Sequence, residues 1–184
     1  MKKIQFIKES LKNIKEVGTI FPSSKFVVAK MIAPINFGEK LTILELGTGS
    51  GAITKKLLEK MSSDSQLICF ETNKKFYQEL QQINNEKMIL INESAEKMKL
   101  YLKEFKIEKV DYIVSSVPLL TLPKEKTHKI LSISVEILGK SGKLIQLQYS
   151  KLLDKRLKSY YSNIDIQFTP RYYLQHLFIL AITK

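Results

Sequence analysis

The chain has 184 residues, of which 44% are hydrophobic and 26% are charged. This is the size of one domain, so a separate catalytic domain of ordinary size would not fit beside it. Thirty basic and eighteen acidic residues give a formal net charge of +12, which attracts anionic partners, chiefly nucleic acid or acidic lipid surfaces. A lysine-rich composition that reflects only genome bias and solubility is the alternative explanation of this charge.

Cysteine, histidine and hydropathy patterns exclude further classes. The single cysteine, Cys69, lies in an apolar run and can form no internal disulfide. The two histidines are far apart in sequence, and we predict no metal site. No apolar run approaches the roughly 20 residues that cross a bilayer, and charges interrupt residues 1–15 too often for a signal peptide. We therefore expect a cytoplasmic protein.

The N-terminal region predicts two helices before the core. Apolar residues recur there at helical spacing, at Ile4, Ile7, Leu11, Ile14 and Val17. Gly18 is expected to end this first helix. A second helix is predicted from Lys25 to Ile32, with Ser23 or Ser24 as its cap. Within a single domain over 1–184, residues 1–35 thus form a helical cap and residues 41–184 form the core.

From residue 41 the chain alternates between short apolar strands and helices. The predicted strands are Leu41–Leu46, Gln66–Glu71, Met88–Asn92, Lys109–Ser115 and Lys143–Tyr149. The predicted helices are Ala52–Met61, Lys74–Ile83, Ala95–Phe105, Lys124–Leu138 and Lys151–Tyr161. Gly139 is expected to stop the fourth of these helices. This alternation is typical of a parallel sheet with helices on both faces.

The last two predicted strands, Ile164–Phe168 and Tyr173–Ile182, have no helix between them. Only Thr169–Tyr172 separates them, whereas a parallel crossover needs a dozen or more residues, so they must pair antiparallel. Five parallel strands followed by a hairpin predict an α/β fold of the Rossmann-like class I methyltransferase type. We expect a seven-stranded, mostly parallel sheet with a C-terminal antiparallel hairpin.

The turn after the first predicted strand carries Gly47, Gly49 and Gly51. Glycine there permits positive φ and lets the backbone approach a ligand, which the following helix meets with its N-terminus. The same spacing satisfies the dinucleotide-binding fingerprint. A purely structural glycine turn is the third interpretation.

Acidic residues at the carboxyl ends of three predicted strands favour S-adenosylmethionine as the cofactor. Glu45 can face the ammonium of its methionine part, but it would repel a pyrophosphate. Glu71, twenty residues beyond Gly51, can accept both ribose hydroxyls. Glu93 and Ser94 suit the adenine edge. Each acid could instead be a charge that stabilises a helix start.

The fourth predicted strand ends at Ser115, followed by Ser116, Val117 and Pro118. Pro118 fixes the backbone, so we expect the carbonyls of Ser115 and Ser116 to point at the reacting centre. The segment resembles the Asn/Asp-Pro-Pro-Tyr element of amino-methylating enzymes, with Ser115 in place of the leading Asn or Asp. That side chain helps to orient a planar amine in those families, so Ser115 argues against a base-methylating role.

Together these residues resemble the short bacterial phospholipid N-methyltransferases, relatives of rRNA adenine dimethyltransferases. The resemblance covers essentially the whole chain and is carried by Val17–Ser24, Ile43–Gly51, Val114–Leu120 and Ile145–Tyr149. It implies methyl transfer from S-adenosylmethionine to the amine of phosphatidylethanolamine or another aminolipid, by a protein on the inner face of the membrane. Thr169–His176 departs from the family, which commonly has an Asn-x-Pro-Pro-Ala element before its last strand.

The expected site residues fall into two groups. The cofactor-binding candidates are Phe21, Ser23, Glu45, Gly47, Thr48, Gly49, Gly51, Glu71, Thr72, Glu93, Ser94, Ser115, Val117 and Pro118. The catalytic candidates are Tyr149, Ser115, Ser116 and His176. Tyr149 and the serine carbonyls are expected to orient the acceptor amine. His176 is a candidate base or else a structural histidine in an apolar strand.

Three functions stay open from the residues themselves. The first is a lipid-amine methyltransferase bound to an anionic membrane surface, with residues 1–16 as an interfacial helix. The same helix could instead pack on the sheet. The second is an RNA (adenine) or small-amine methyltransferase, which the net charge of +12 favours. The third is a cofactor-binding membrane-surface protein without catalytic activity.

Overall fold

The computed structural model describes residues 25–148, 153–169 and 177–183. The predicted N-terminal helix over residues 1–17 lies outside the described residues. So do four of the candidate site residues, Phe21, Ser23, Tyr149 and His176.

The described chain alternates between helices and strands from its start. Its helices are α1 (Lys25–Ile32), α2 (Ala52–Lys60), α3 (Lys74–Leu80), α4 (Met98–Glu104), α5 (Lys124–Ile137) and α6 (Asp154–Leu157), with a 3-10 turn at Ala95–Lys97. Its strands are β1 (Thr42–Leu46), β2 (Gln66–Phe70), β3 (Met88–Ile91), β4 (Val110–Ser115), β5 (Leu138–Gln148), β6 (Asn163–Thr169) and β7 (Leu177–Thr183).

The strands form one sheet in the order β3-β2-β1-β4-β5-β7-β6. Strands β1 to β5 pair parallel with one another, which confirms the predicted parallel core. Strand β7 pairs antiparallel with both β5 and β6. The strand order reverses between β1 and β4, and ligands of such sheets bind in the crevice at the carboxyl ends of the strands on either side of that reversal.

Side chains alternate along β1 between two hydrophobic clusters, one on each face of the sheet. Ile43 packs in the cluster that contains Met31 of α1 and Leu57 of α2. Leu44 and Leu46 pack in the cluster on the opposite face, which α4, α5 and α6 cover. Because both faces of the central strand are buried, the carboxyl ends of β1 and β4 are held rigidly for the site described below.

The start of β5 corrects one prediction. Helix α5 ends at Ile137, and Leu138 is already the first residue of β5, where it pairs with Val110. Gly139 therefore lies inside the strand and does not stop the helix. A Cβ atom there would lie 2.8 Å from Cε of Lys109, an exposed side chain that could move aside.

Two predicted helices also differ from the structure. Residues 95–105 begin with the 3-10 turn, which Ser94 caps, and become α-helical only at Met98. The predicted basic helix over 151–161 is reduced, within the described residues, to α6 (Asp154–Leu157) and a turn. None of the helices in the described ranges combines the length and the hydropathy that crossing a bilayer requires.

Candidate cofactor and acceptor site

The glycine turn after β1 adopts the backbone conformation that the sequence predicts. Gly47, Gly49 and Gly51 have φ angles of 75°, 53° and 77°, in the left-handed region that glycine adopts without steric cost. A Cβ atom on Gly51 would lie 2.5 Å from Cδ2 of Leu80. The turn thus requires glycine both for its dihedral angles and for its packing.

Glu71 follows β2 and binds this turn directly. Its Oε2 accepts a hydrogen bond from the Gly49 N–H at 2.8 Å and lies 3.3 Å from the Thr48 hydroxyl, which also donates to it. Its Oε1 accepts from the Asn73 N–H at 2.7 Å. The side chain of Asn92, after β3, donates to the Glu71 carbonyl at 2.7 Å. The carboxylate is therefore buried and fixed beside the glycine turn, at the edge of the sheet where ligands bind.

Glu45 lies in the middle of the sheet and is 2% exposed. The Cys69 thiol donates to its Oε2 at 3.7 Å, while its Oε1 has no hydrogen-bond partner among the described residues. Burial raises the pKa of Glu45 to about 8, the Thr54 and Cys69 side chains offset part of this shift, and the charge of Glu71 adds to it. A buried carboxyl with an unpaired oxygen suits a cationic ligand, because a positive charge would stabilise its ionised form.

The loop after β4 contacts the glycine turn. The Ser116 hydroxyl donates to the Gly47 carbonyl, and the Ser116 N–H donates to the Leu46 carbonyl at 3.0 Å. A Cβ atom on Gly47 would lie 3.2 Å from Cγ2 of Val117. Ser115 is buried, and its hydroxyl has no partner in the described part of the chain. The fold thus brings together two segments that are about seventy residues apart in sequence.

The residues after β3 make local contacts. Glu93 forms an ion pair with Lys97 at 2.6 Å, and the hydrogen bond from Lys97 lowers the pKa of Glu93. The Ser94 hydroxyl accepts from the Glu96 N–H and caps the 3-10 turn. These are the contacts expected of residues at a helix start. Thr72, beside Glu71, is exposed.

One buried polar residue near the site has no predicted role. Gln146 of β5 is fully buried, and its Nε2 donates to the Val117 carbonyl at 3.0 Å and to the Leu147 carbonyl at 2.8 Å. Its Oε1 has no partner among the described residues. The signal in the sequence is a glutamine within the apolar run Leu144–Leu147 of a central strand, where a polar side chain needs partners.

The fold and the site together define the class of protein. A parallel core closed by the antiparallel strand β7, with a glycine turn after β1 and a carboxylate after β2, is the framework of a class I S-adenosylmethionine-dependent methyltransferase. An S-adenosylmethionine-dependent methyltransferase from Leishmania major superposes with a TM-score of 0.70, at 18% identity, over 92% of this chain and 76% of that one. Fibrillarin from Aeropyrum pernix, solved with natively bound S-adenosylmethionine, superposes with a TM-score of 0.66, at 16% identity, over 85% and 74% of the chains.

The family follows from the sequence comparison. Residues 11–163 match the model of the ribosomal RNA adenine dimethylase family, so the chain belongs to that family. It is an N-methyltransferase, and S-adenosylmethionine is its cofactor. An ornithine lipid N-methyltransferase from Singulisphaera acidiphila is 22% identical over 169 residues, which cover 90% of this chain and 88% of that protein.

Proposed function

We propose that this protein methylates the amine of phosphatidylethanolamine or another aminolipid at an anionic membrane surface. The observation that carries the proposal is the similarity to the ornithine lipid N-methyltransferase, which extends over 90% of the chain. The replacement of the leading Asn or Asp by Ser115 supports it, because a planar base loses the side chain that orients its amine. The proposal assigns the acceptor; the reaction class follows from the family.

The cofactor would be held by the residues around the glycine turn. S-adenosylmethionine supplies an electrophilic methyl group on a sulfonium. Glu71 would accept the ribose hydroxyls with the carboxylate that now binds Gly49 and Thr48. Glu45 would face the methionine ammonium with its unpaired oxygen. The glycine turn lets the backbone approach the ligand closely, as its positive φ angles allow.

The remaining cofactor contacts are proposals of the same kind. Val117 and Pro118, after β4, would border the methionine end. Thr72, Glu93 and Ser94 would border the ribose and the adenine, which requires Glu93 to exchange its ion pair with Lys97 for the ligand. Phe21 and Ser23 would cover the cofactor from the N-terminal side.

Catalysis would depend on how the acceptor amine is desolvated and oriented. A lipid amine is mostly protonated at pH 7 and must lose a proton before it attacks the methyl group. Removal from water lowers the pKa of an amine, and enclosure aligns the nucleophile with the methyl group. We assign this orientation to Tyr149 and the Ser115 and Ser116 carbonyls, with His176 as a candidate base. Tyr149, Phe21 or Tyr172 would hold the methylated cation by cation–π contact.

A groove between α1 and α2 supports the membrane part of the proposal. It encloses about 700 Å³, and apolar side chains line it, among them Val28, Ile32 and Phe37. Four lysines and one acid line it too: Lys25, Lys55, Lys56, Lys60 and Glu59, which pairs with Lys56 at 2.6 Å. On α1, Phe26 is 53% exposed, and Nζ of Lys30 lies 5.9 Å from the centroid of its ring. Apolar and basic groups side by side are the combination that an anionic lipid surface binds.

The test is incubation of the protein with methyl-labelled S-adenosylmethionine and separate pools of bacterial lipid, RNA and protein. The proposal expects label in the lipid pool, in a species whose headgroup carries an amine. Heat-denatured protein is the control. Label confined to RNA would contradict the lipid assignment and favour the second candidate, an RNA adenine methyltransferase. That candidate is supported by the family whose model matches residues 11–163 and by the net charge of +12.

A further inference from the structure

We propose that Gln146 binds the acceptor amine directly, with its Oε1 and the Ser115 hydroxyl as a pair of hydrogen-bond acceptors. The inference rests on the proposed function only in requiring an acceptor with an N–H group. It assigns a role to a residue of β5 and gives Ser115 a role for its side chain, beyond that of its carbonyl.

The two groups lie opposite each other on neighbouring strands. Ser115 of β4 and Gln146 of β5 are register partners in a parallel pair. Register partners project to the same face of a sheet from strands about 4.8 Å apart. Both side chains are buried, and neither the Ser115 hydroxyl nor Oε1 of Gln146 has a partner among the described residues. Two unpaired oxygens thus occupy adjacent positions at the carboxyl end of the sheet.

The hydrogen bonds of Gln146 fix which end of its amide is free. Its nitrogen donates to two backbone carbonyls, those of Val117 and Leu147. A carbonyl can only accept, so the NH₂ group must face both of them, and a flipped amide would place oxygen against oxygen. The unpaired end is therefore Oε1, which is an acceptor. The site recognises a hydrogen-bond donor.

The position of this acceptor pair relates it to methyl transfer. Gln146 binds the carbonyl of Val117, whose side chain packs against Gly47 of the cofactor turn. The hydroxyl of Ser116, the residue between Ser115 and Val117, donates to the Gly47 carbonyl. The acceptor pair thus lies behind the loop that contacts the cofactor turn. Ser116 and Val117, which lie between the pair and the cofactor turn, are only partly buried.

Buried polar atoms without partners are unfavourable, which argues that this pair has a function. An apolar side chain at either position would avoid the desolvation cost of an unsatisfied oxygen. Leu46 and Leu119, buried in the cluster on this face of the sheet, show that apolar side chains fit there. In the element that the loop after β4 resembles, a leading Asn or Asp helps to orient the amine. Here two neighbouring strands would supply the acceptors together.

The pair predicts a dependence on the number of methyl groups already on the amine. A neutral primary amine donates both N–H groups, one to Ser115 and one to Gln146, and its lone pair forms the new N–C bond. The C–S bond breaks, sulfur keeps its electron pair, and the methylated ammonium releases a proton to water. A monomethyl amine retains one N–H, and a dimethyl amine has none. The acceptor pair therefore favours the first transfer most and the third not at all.

The experiment measures kcat/KM of the full chain with phosphatidylethanolamine and with its N-monomethyl and N,N-dimethyl forms. Ser115→Ala and Gln146→Met remove the acceptors with little change in volume. We expect each to lower kcat/KM at least tenfold for the primary amine and less than threefold for the dimethyl amine. The deciding quantity is the ratio of kcat/KM for the primary amine to kcat/KM for the dimethyl amine, because weaker cofactor binding would lower kcat/KM for all three lipids alike. An equal loss for all three lipids, or no loss, would overturn the inference.

Two controls separate this role from a structural one. Gln148→Met alters a second buried glutamine of β5, whose unpaired atom is the donor Nε2, and should affect the three lipids equally. If Gln146→Met fails to fold, Ser115→Ala still tests the inference. The Ser115 hydroxyl bonds to no described residue, so its removal should not disturb the fold. If only RNA accepts methyl groups, the lipid proposal fails. The quantity to measure is then the ratio of kcat/KM for adenine to kcat/KM for N6-methyladenine in RNA. If Ser115→Ala leaves that ratio unchanged, the role of the pair is overturned as well.

Discussion

The Gly49 N–H donates to Oε2 of Glu71 at 2.8 Å and thereby joins the cofactor turn after β1 to the end of β2. The two residues are twenty-two positions apart in sequence, and the Asn73 N–H and the Thr48 hydroxyl donate to the same carboxylate. The carboxylate that is proposed to bind the ribose is thus held in place before any ligand arrives. Preorganisation of this kind lowers the entropic cost of binding.

Glu71→Ala should weaken S-adenosylmethionine binding by about 1.5–3 kcal/mol, the range for a hydrogen bond to a charged group. Titration calorimetry measures the change. Glu59→Ala, at an exposed acid of α2, is the matched control and should leave the dissociation constant unchanged. An unaltered constant in a folded Glu71→Ala variant would remove Glu71 from the site.

Gly49→Val should abolish cofactor binding while the far-UV circular dichroism stays close to that of the parent protein. A β-branched residue is strained at a φ of 53°, and its side chain would occupy the space that the ligand approaches. Gly38→Ala is the control, because Gly38 lies in an exposed turn without positive φ. Retained binding by Gly49→Val would contradict the close backbone approach.

Glu45 should make the folded state less stable as the pH rises from about 4.5 to about 8, its ordinary and its folded pKa. In that window the folded protein keeps a proton that the unfolded chain has released, so the free energy of unfolding falls with a slope of up to about 1.4 kcal/mol per pH unit. Above pH 8 this contribution is constant. Urea denaturation from pH 6 to pH 9 measures it.

Glu45→Gln is the matched variant for that measurement, since it cannot ionise and has nearly the same shape. The difference in unfolding free energy between the two proteins isolates Glu45 from every other ionisable group, because both proteins share those groups. We expect Glu45→Gln to be the more stable protein at pH 9, and the difference to shrink towards pH 5. A difference independent of pH would show that folding does not raise the pKa of Glu45.

The protein should bind vesicles that contain phosphatidylglycerol, less strongly at high salt, because each lysine near an anionic surface contributes roughly 1 kcal/mol that salt screens. Deletion of residues 1–16 should abolish this binding if they form an interfacial helix, while the deleted protein keeps its fold. Co-sedimentation with vesicles measures the binding, and circular dichroism shows whether the deleted protein keeps its fold. Equal binding to neutral and anionic vesicles would contradict the electrostatic part, and unfolding on deletion would place residues 1–16 in the core.

The sequence by itself determined the parallel core and its cofactor turn. Short apolar runs such as Gln66–Phe70 alternate with amphipathic helices, and this order leaves a parallel sheet as the way to bury both. Glycine at 47, 49 and 51 is equally local, because positive φ depends on the residue itself and its nearest neighbours. These features could be predicted since each depends on a few consecutive residues.

Only the tertiary structure decided where polar atoms find partners. Glu93 pairs with Lys97, whereas Glu71 binds the backbone of Gly49, although both follow strands and look alike in sequence. The pairing of Leu138 with Val110 turns the expected helix end at Gly139 into a strand. Oε1 of Glu45 and Oε1 of Gln146 lack partners among the described residues, and this depends on every element packed around them. The hydrogen bonds and the burial of a side chain depend on many residues that are distant in sequence. A local sequence pattern therefore cannot predict them.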